Sequence, residues 1–349
     1  MSWKRRAITW LCCVASVLLG AMSAVAGPTL RVLSWEGYAD PDLVQAFENK
    51  YKVQVEVTVV DSDTVLWQKL HASKGQSYDV LAANTAEIAR YRSAGLIQPI
   101  ESIAVTNIER QLPQFRDERQ LQGIFHLGKR YAVPYTYAEM GLIYDRKTFT
   151  SPPTSIAALW DSRYQGRVLA YDGGSHSFSI AALKAGKPNP FQIKDSDWQT
   201  LAQELIALRR NVLGFYSQLD DSVRQYVDHG AVLMFANYGS QQFSLMQKRG
   251  LDVGYTIPRE GALAWLDCWA ITASSQQRDL AEKWINYMLE PQVAEALVVR
   301  QGLSSTLREG LGSKDSKRIW LQTVEDVDRR ERMWGRIIAG DSLQKVVAR

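Results

Sequence analysis

The chain has 349 residues, 46% of them hydrophobic, with 41 basic against 37 acidic side chains. A near-balanced charge of this kind excludes a polycationic nucleic-acid or membrane-surface binder, and the apolar content excludes a disordered chain. Three cysteines, Cys12, Cys13 and Cys268, exclude a disulfide-built scaffold.

Lys4, Arg5 and Arg6 precede an apolar run from Ala7 to Ala21, and Ala24-Val25-Ala26 then supplies small residues before Gly27. This three-part pattern predicts a secretory signal peptide cleaved after Ala26, rather than a lasting membrane span. Neither Cys12 nor Cys13 sits in a lipobox, so no lipid anchor is expected. Cleavage would leave 323 residues with 38 basic and 37 acidic side chains and Cys268 as the one thiol. That length predicts two domains. No linker-like tract separates them, which points to lobes joined by crossing strands.

Leu30–Trp35 reads as a strand, and Asp40-Pro41 as an N-cap followed by the residue favoured at the first helical position. Val53–Val60 alternates with period two, a strand. Leu66, Trp67 and Leu70 predict a helix after Asp63, Asp79–Ala83 a further strand, and Asn84 to Glu87 a capping box opening a helix that Gly95 ends. The order βαβαβα predicts a doubly wound α/β sheet. Further on, Arg167–Tyr171 and Ala231–Ala236 read as strands, and Asp197–Arg210 and Gly239–Lys248 as helices. Tyr131–Tyr137 leading into Gly141–Tyr144 is the expected first crossing between lobes, and Trp265–Thr272 the expected return.

Ligands of open α/β sheets bind beyond the carboxyl ends of the strands. There the sequence places Trp35, Glu36 and Tyr38; Asn84 and Thr85; Asp172 to His176; Phe235 and Tyr238; and Trp265 with Asp267. These are aromatics and carboxylates without a lysine or arginine. Aromatic faces attract ammonium groups by roughly 0.5–2 kcal/mol, and carboxylates add charge-assisted hydrogen bonds. An anionic ligand would require arginines or amide nests. Packing alone would also account for Trp35, Trp265 and Phe235, a turn for Asp172-Gly173-Gly174, and capping for Glu87. His71, His126, His176 and His229 lack metal-site spacing, and no Walker, dinucleotide or nucleophile-elbow motif occurs. No cofactor, metal or catalytic residue is expected, which leaves a periplasmic enzyme on a similar fold as the weaker alternative to a binding protein.

Several segments together resemble the periplasmic spermidine/putrescine-binding proteins of ABC importers. They are Ser34-Trp-Glu-Gly-Tyr38, Tyr131-Ala-Val-Pro-Tyr135, Ala158-Leu-Trp-Asp161, Met234-Phe-Ala-Asn237 and Ala264-Trp-Leu-Asp267. The resemblance implies a type II periplasmic binding protein fold, with two Rossmann-like lobes on a crossing-strand hinge. The expected lobes are 27–135 plus 263–303 and 136–262 plus 304–349. It implies a monomeric periplasmic protein that closes on a polyamine and hands it to an ABC permease, or reports it to a membrane signalling protein. By position, Trp35 and Tyr38 would flank the amine chain, with Glu36 displaced from the family's acid. Phe235 would stand for a tryptophan wall, Trp265 would stack on the chain, and Asp267 would pair with an amine. Asp172 would lie near a second acidic pair, with Thr85 and His176 as further candidates. Ala86 and Leu303 stand where the family carries tyrosines, and His176 near an expected glutamate.

Overall fold

The computed structural model describes residues 27–117, 121, 123–309 and 317–348, so the expected signal peptide, residues 1–26, lies outside the described residues. The first lobe begins with β1 (Thr29–Trp35), α1 (Pro41–Tyr51), β2 (Gln54–Val60), α2 (Asp63–Ala72), β3 (Val80–Asn84) and α3 (Thr85–Ser93). These are the six elements read from the sequence, within a few residues. Local chemistry sets their ends. Pro41 opens α1, and Lys52 closes it in the left-handed region at φ 57°. The Ser62 hydroxyl accepts the Val65 amide at the start of α2. Asn84 Oδ1 accepts the Ala86 and Glu87 amides at 3.0 and 3.1 Å. The reciprocal half of the expected capping box is replaced by a Glu87–Arg90 ion pair.

The chain continues through β4 (Ile97–Gln98), β5 (Phe125–His126), β6 (Lys129–Arg130) and β7 (Ala132–Glu139), then crosses at 140–141 into β8 (Leu142–Asp145). The second lobe follows with β9 (Val168–Tyr171), α4 (Gly174–Lys184), α5 (Trp198–Asn211), β10 (Gly214–Tyr216), α6 (Leu219–Asp228), β11 (Leu233–Phe235), α7 (Ser240–Lys248) and β12 (Val253–Thr256). The return crossing falls at 257–261. Trp265–Thr272, expected to be that crossing, instead lies wholly inside β13 (Ala262–Thr272), a central strand of the first sheet. Its near-continuous apolar run is what burial on both faces requires. Helices α8 (Arg278–Met288) and α9 (Pro291–Gln301) and the short strands β14 (Ser304–Ser305) and β15 (Arg318–Trp320) complete the first lobe. A third crossing at 321–326 leads to α10 (Val327–Ala339) and α11 (Leu343–Val347), which pack on α5 of the second lobe.

The main path of the first sheet runs β14-β7-β13-β3-β1-β2, and the second sheet runs β10-β9-β11-β8-β12. Each sheet is mixed: β1 pairs with β2 and β3 in parallel, whereas β13 is antiparallel to both β3 and β7. Helices cover both faces of each sheet, giving two cores per lobe. Phe47, Trp269 and Trp284 fill one face of the first sheet, and Leu66, Tyr91 and Phe115 the other. Phe178, Trp198 and Trp334 fill one face of the second, and Tyr216 and Met234 the other. The tryptophans outside the strand ends are thus packing residues; Trp269 and Trp284 meet edge to face at 5.9 Å.

One irregularity bears on function. Between β7 and β13 the register runs Asp267↔Thr136 and then Cys268↔Pro134, leaving Tyr135 unpaired. Proline has no N–H to give a ladder, so a buried strand accommodates it at such a bulge. The bulge lies directly against Asp267.

Candidate functional site

The carboxyl ends of β1, β3 and β9 and the lobe crossings converge on a cleft of about 1070 Å³ between the lobes. Nine carboxylate side chains line it, against one guanidinium and one imidazole. Trp35, Glu36, Tyr38, Asp172, His176, Trp265 and Asp267 all belong to this lining.

Asp267, on β13, is 7% exposed and accepts a 2.7 Å hydrogen bond from the Tyr38 hydroxyl on Oδ2. Burial pushes its carboxyl up to about 7, and the Tyr38 bond opposes part of that rise. The Trp265 indole N–H donates to the Asn237 backbone carbonyl at 3.3 Å, linking β13 to the end of β11. Trp35 is partly exposed in the same lining.

Asp63, at the first position of α2, is the carboxylate that pattern reading passed over, because an acid there is ordinary first-turn chemistry. Burial, then repulsion from Glu87 and Asp267, lifts it to about 8, opposed by hydrogen bonds from the Asn84 side-chain amide at 3.1 and 3.2 Å. Glu87, read as a cap, also lines the cleft, and burial raises it despite Arg90. Arg90 is already committed: it pairs with Glu87 at 3.4 Å and lies 3.7 Å over the Trp67 ring. Among the described residues no ion pair joins Asp63 or Asp267 to a basic side chain.

On the second lobe, Asp172 Oδ1 accepts the Trp334 indole N–H at 2.8 Å. Glu331, brought in by α10, accepts the Gly174 and Ser175 amides at 3.2 and 3.0 Å, closing the start of α4. Burial drops His176 to about 4, so its imidazole is neutral at pH 7 and adds no positive charge. Tyr171 and Tyr238 supply this wall's aromatic rings, meeting edge to face at 6.4 Å.

Two residues singled out from the sequence lie elsewhere. Phe235 is 1% exposed, packed in the second-lobe core, and does not line the cleft. It sits mid-sheet, paired with Leu142, and Tyr238 three residues on reaches the cleft instead. Thr85 is buried, donates to the Leu321 carbonyl at 2.9 Å, and faces a separate cavity of about 580 Å³. Among the described residues no group of three or more His, Cys, Asp or Glu side chains is arranged to hold a metal ion.

Two mixed α/β lobes, joined by crossing segments around a deep lining of aromatics and carboxylates, define a two-lobed solute-binding protein. Residues 42–317 match the family described as "Bacterial extracellular solute-binding protein", and the chain belongs to that family. It is 27% identical over 287 residues to spermidine/putrescine-binding periplasmic protein 1 of Haemophilus influenzae, covering 80% of this chain and 76% of that one. It is 25% identical over 311 residues to the putrescine-binding periplasmic protein PotF of Escherichia coli, covering 81% and 80%. In structure it resembles a putative spermidine/putrescine ABC transporter from Listeria monocytogenes, with a TM-score of 0.76 at 20% identity over 90% of this chain and 98% of the other. A neighbour from A. tumefaciens B6 solved in complex with glucopine has a TM-score of 0.68 at 12% identity, covering 89% and 99%. Such likeness carries the fold, and the ligand has to be argued from the lining.

Proposed function

We propose that this protein captures a polyamine in the periplasm and delivers it to an ABC permease. The observation that carries this reading is the charge of the cleft. Of the nine carboxylates, Asp40, Glu87 and Asp220 pair with Arg300, Arg90 and Arg249, and the other six have no ion pair among the described residues. A chain of nearly balanced overall charge has concentrated its acids where the lobes meet. Bringing an anion there would cost energy against these acids, and a neutral ligand would leave Asp63 and Asp267 with no cation to favour their ionised forms.

Trp35 and Trp265 offer flat faces to the methylene chain and the ammonium charge. Asp267, oriented by Tyr38, receives one nitrogen, and Asp172 faces the ligand from the second lobe. Closure is driven by contacts made to both walls at once, which must exceed the cost of bringing the lobes together.

Affinity should depend on pH with a definite sign. Aliphatic ammonium groups stay protonated to about pH 10. Asp267 and Asp63 ionise only near 7 and 8 in the ligand-free cleft. A bound cation favours their ionised forms, so binding releases protons and tightens as pH rises from about 6 to 8. Titration calorimetry in two buffers of different ionisation heat measures the release; affinity that falls over this range contradicts the reading.

The direct test is calorimetry on residues 27–349, unfolded and refolded to strip bound ligand. The panel is putrescine, cadaverine, norspermidine, spermidine, spermine and agmatine. A saturable one-to-one isotherm supports the proposal. Silence from folded protein across the panel removes it.

A further inference from the structure

Asp63 and Asp267 are two separate carboxylates in one cleft, and the surroundings of Asp63 resemble those of a ligand subsite. Both its oxygens are held by the Asn84 side-chain amide. That amide cannot swing away, because Asn84 Oδ1 is bound to the first turn of α3. The carboxylate is therefore fixed in place, with lone pairs that one amide group does not fill.

The opposite wall points the same way independently. Tyr171 and Tyr238 of the second lobe line the same cleft as Asp63, their rings edge to face at 6.4 Å. Beside Tyr238, Asn237 is 7% exposed and lines the cleft. Its Oδ1 forms no hydrogen bond of ordinary geometry, though the His176 imidazole lies close to it. A buried amide oxygen in this position, approached only by the His176 imidazole, can accept an N–H from a ligand. A fixed carboxylate, two aromatic rings and a buried acceptor in one cleft match what a protonated amine requires.

We propose that Asp63 with Glu87, facing Tyr171, Tyr238 and Asn237, forms a second ammonium subsite apart from the Tyr38–Asp267 pair. The inference rests on the polyamine reading and sharpens it. The ligand carries at least two protonated nitrogens, and the protein selects against monoamines through Asp63.

The test compares wild-type residues 27–349 with Asp63→Asn and Glu87→Gln, using spermidine, putrescine and n-butylamine as probes in calorimetry. Asparagine preserves size, and the melting temperature of each variant reports its folding. Wild type should bind both polyamines and discriminate strongly against n-butylamine. Asp63→Asn should weaken both polyamines by about tenfold to hundredfold, as expected for a lost charge-assisted bond, and narrow the gap to the monoamine. Glu87→Gln should do the same to a lesser degree, and it carries the test if Asp63→Asn does not fold. Polyamine affinity and discrimination unchanged in the folded variants would overturn the second subsite while leaving polyamine binding intact. A wild type that binds no amine would instead overturn the underlying reading.

Discussion

Asp267→Asn is expected to weaken polyamine binding by about a hundredfold or more while making the ligand-free protein more stable at pH 8. On the proposed reading, the binding loss follows from removing the buried negative charge that would receive one ligand nitrogen. The gain in stability follows from the same burial. A free aspartate ionises near 3.9, but Asp267 in the folded protein ionises only near 7. Between these values the unfolded chain has lost a proton that the folded chain keeps, so stability falls as pH rises through that window. Asparagine carries no charge to desolvate and still offers Tyr38 an oxygen. The stability difference between variant and wild type should be small at pH 4, grow up to about pH 7, and then level off. Calorimetric melting across this range, paired with titration of the best polyamine, reads both effects. Retained affinity would remove Asp267 from the site, and a variant less stable at pH 8 would show that the carboxylate is not strained by burial.

Arg330→Ala should cost about 3–5 kcal/mol of unfolding free energy, the usual loss when one partner of a buried ion pair is removed. Arg330 is fully buried at the join between α10 and the start of α4. Its guanidinium binds both oxygens of Glu325 at 2.9 and 2.8 Å. It also donates to the Ser175 and Pro190 carbonyls and the Ser179 hydroxyl. Five directed bonds use the planar fork, so Arg330→Lys should recover only part of the loss. The Ser175 bond is one residue from His176 and three from Asp172, so the second wall of the cleft should loosen together with the fold. Urea unfolding measures the effect; a loss below about 1 kcal/mol would show that the network is replaced by water.

Much of the first lobe was legible because its signals are local. Alternation in Val53–Val60, Pro41 after Asp40 and the Asn84 cap each depend on neighbours within a few residues. Trp35, Tyr38, Trp265 and Asp267 could be placed at the cleft because strand ends are readable from the same patterns. The residues that were missed depend on distant partners. Glu331 reaches the cleft only because α10 packs on α4, more than 150 positions away. Asp63 reads as a first-turn acid until Glu87 and Asp267 stand near it. Phe235 shows the converse limit: an aromatic at a strand end faces core or cleft according to the pleat, and an uncertainty of one residue in the strand reverses the answer.

The bulge at Tyr135 fixes more than a local bend. Paired strands of period two can slide by two residues and still present the same faces, but an odd insertion cannot travel with them. Pro134 and Tyr135 thus act as a key in a slot, holding Asp267 at one station along β13. The inserted Tyr135 ring packs edge-on against Tyr38 at 5.5 Å, and Tyr38 grips Asp267. Anchor, clamp and key all belong to the first lobe. When the lobes part, a bound amine should therefore stay berthed on the first lobe and lose the second lobe's wall first, so the order of ligand release is written into one surplus residue.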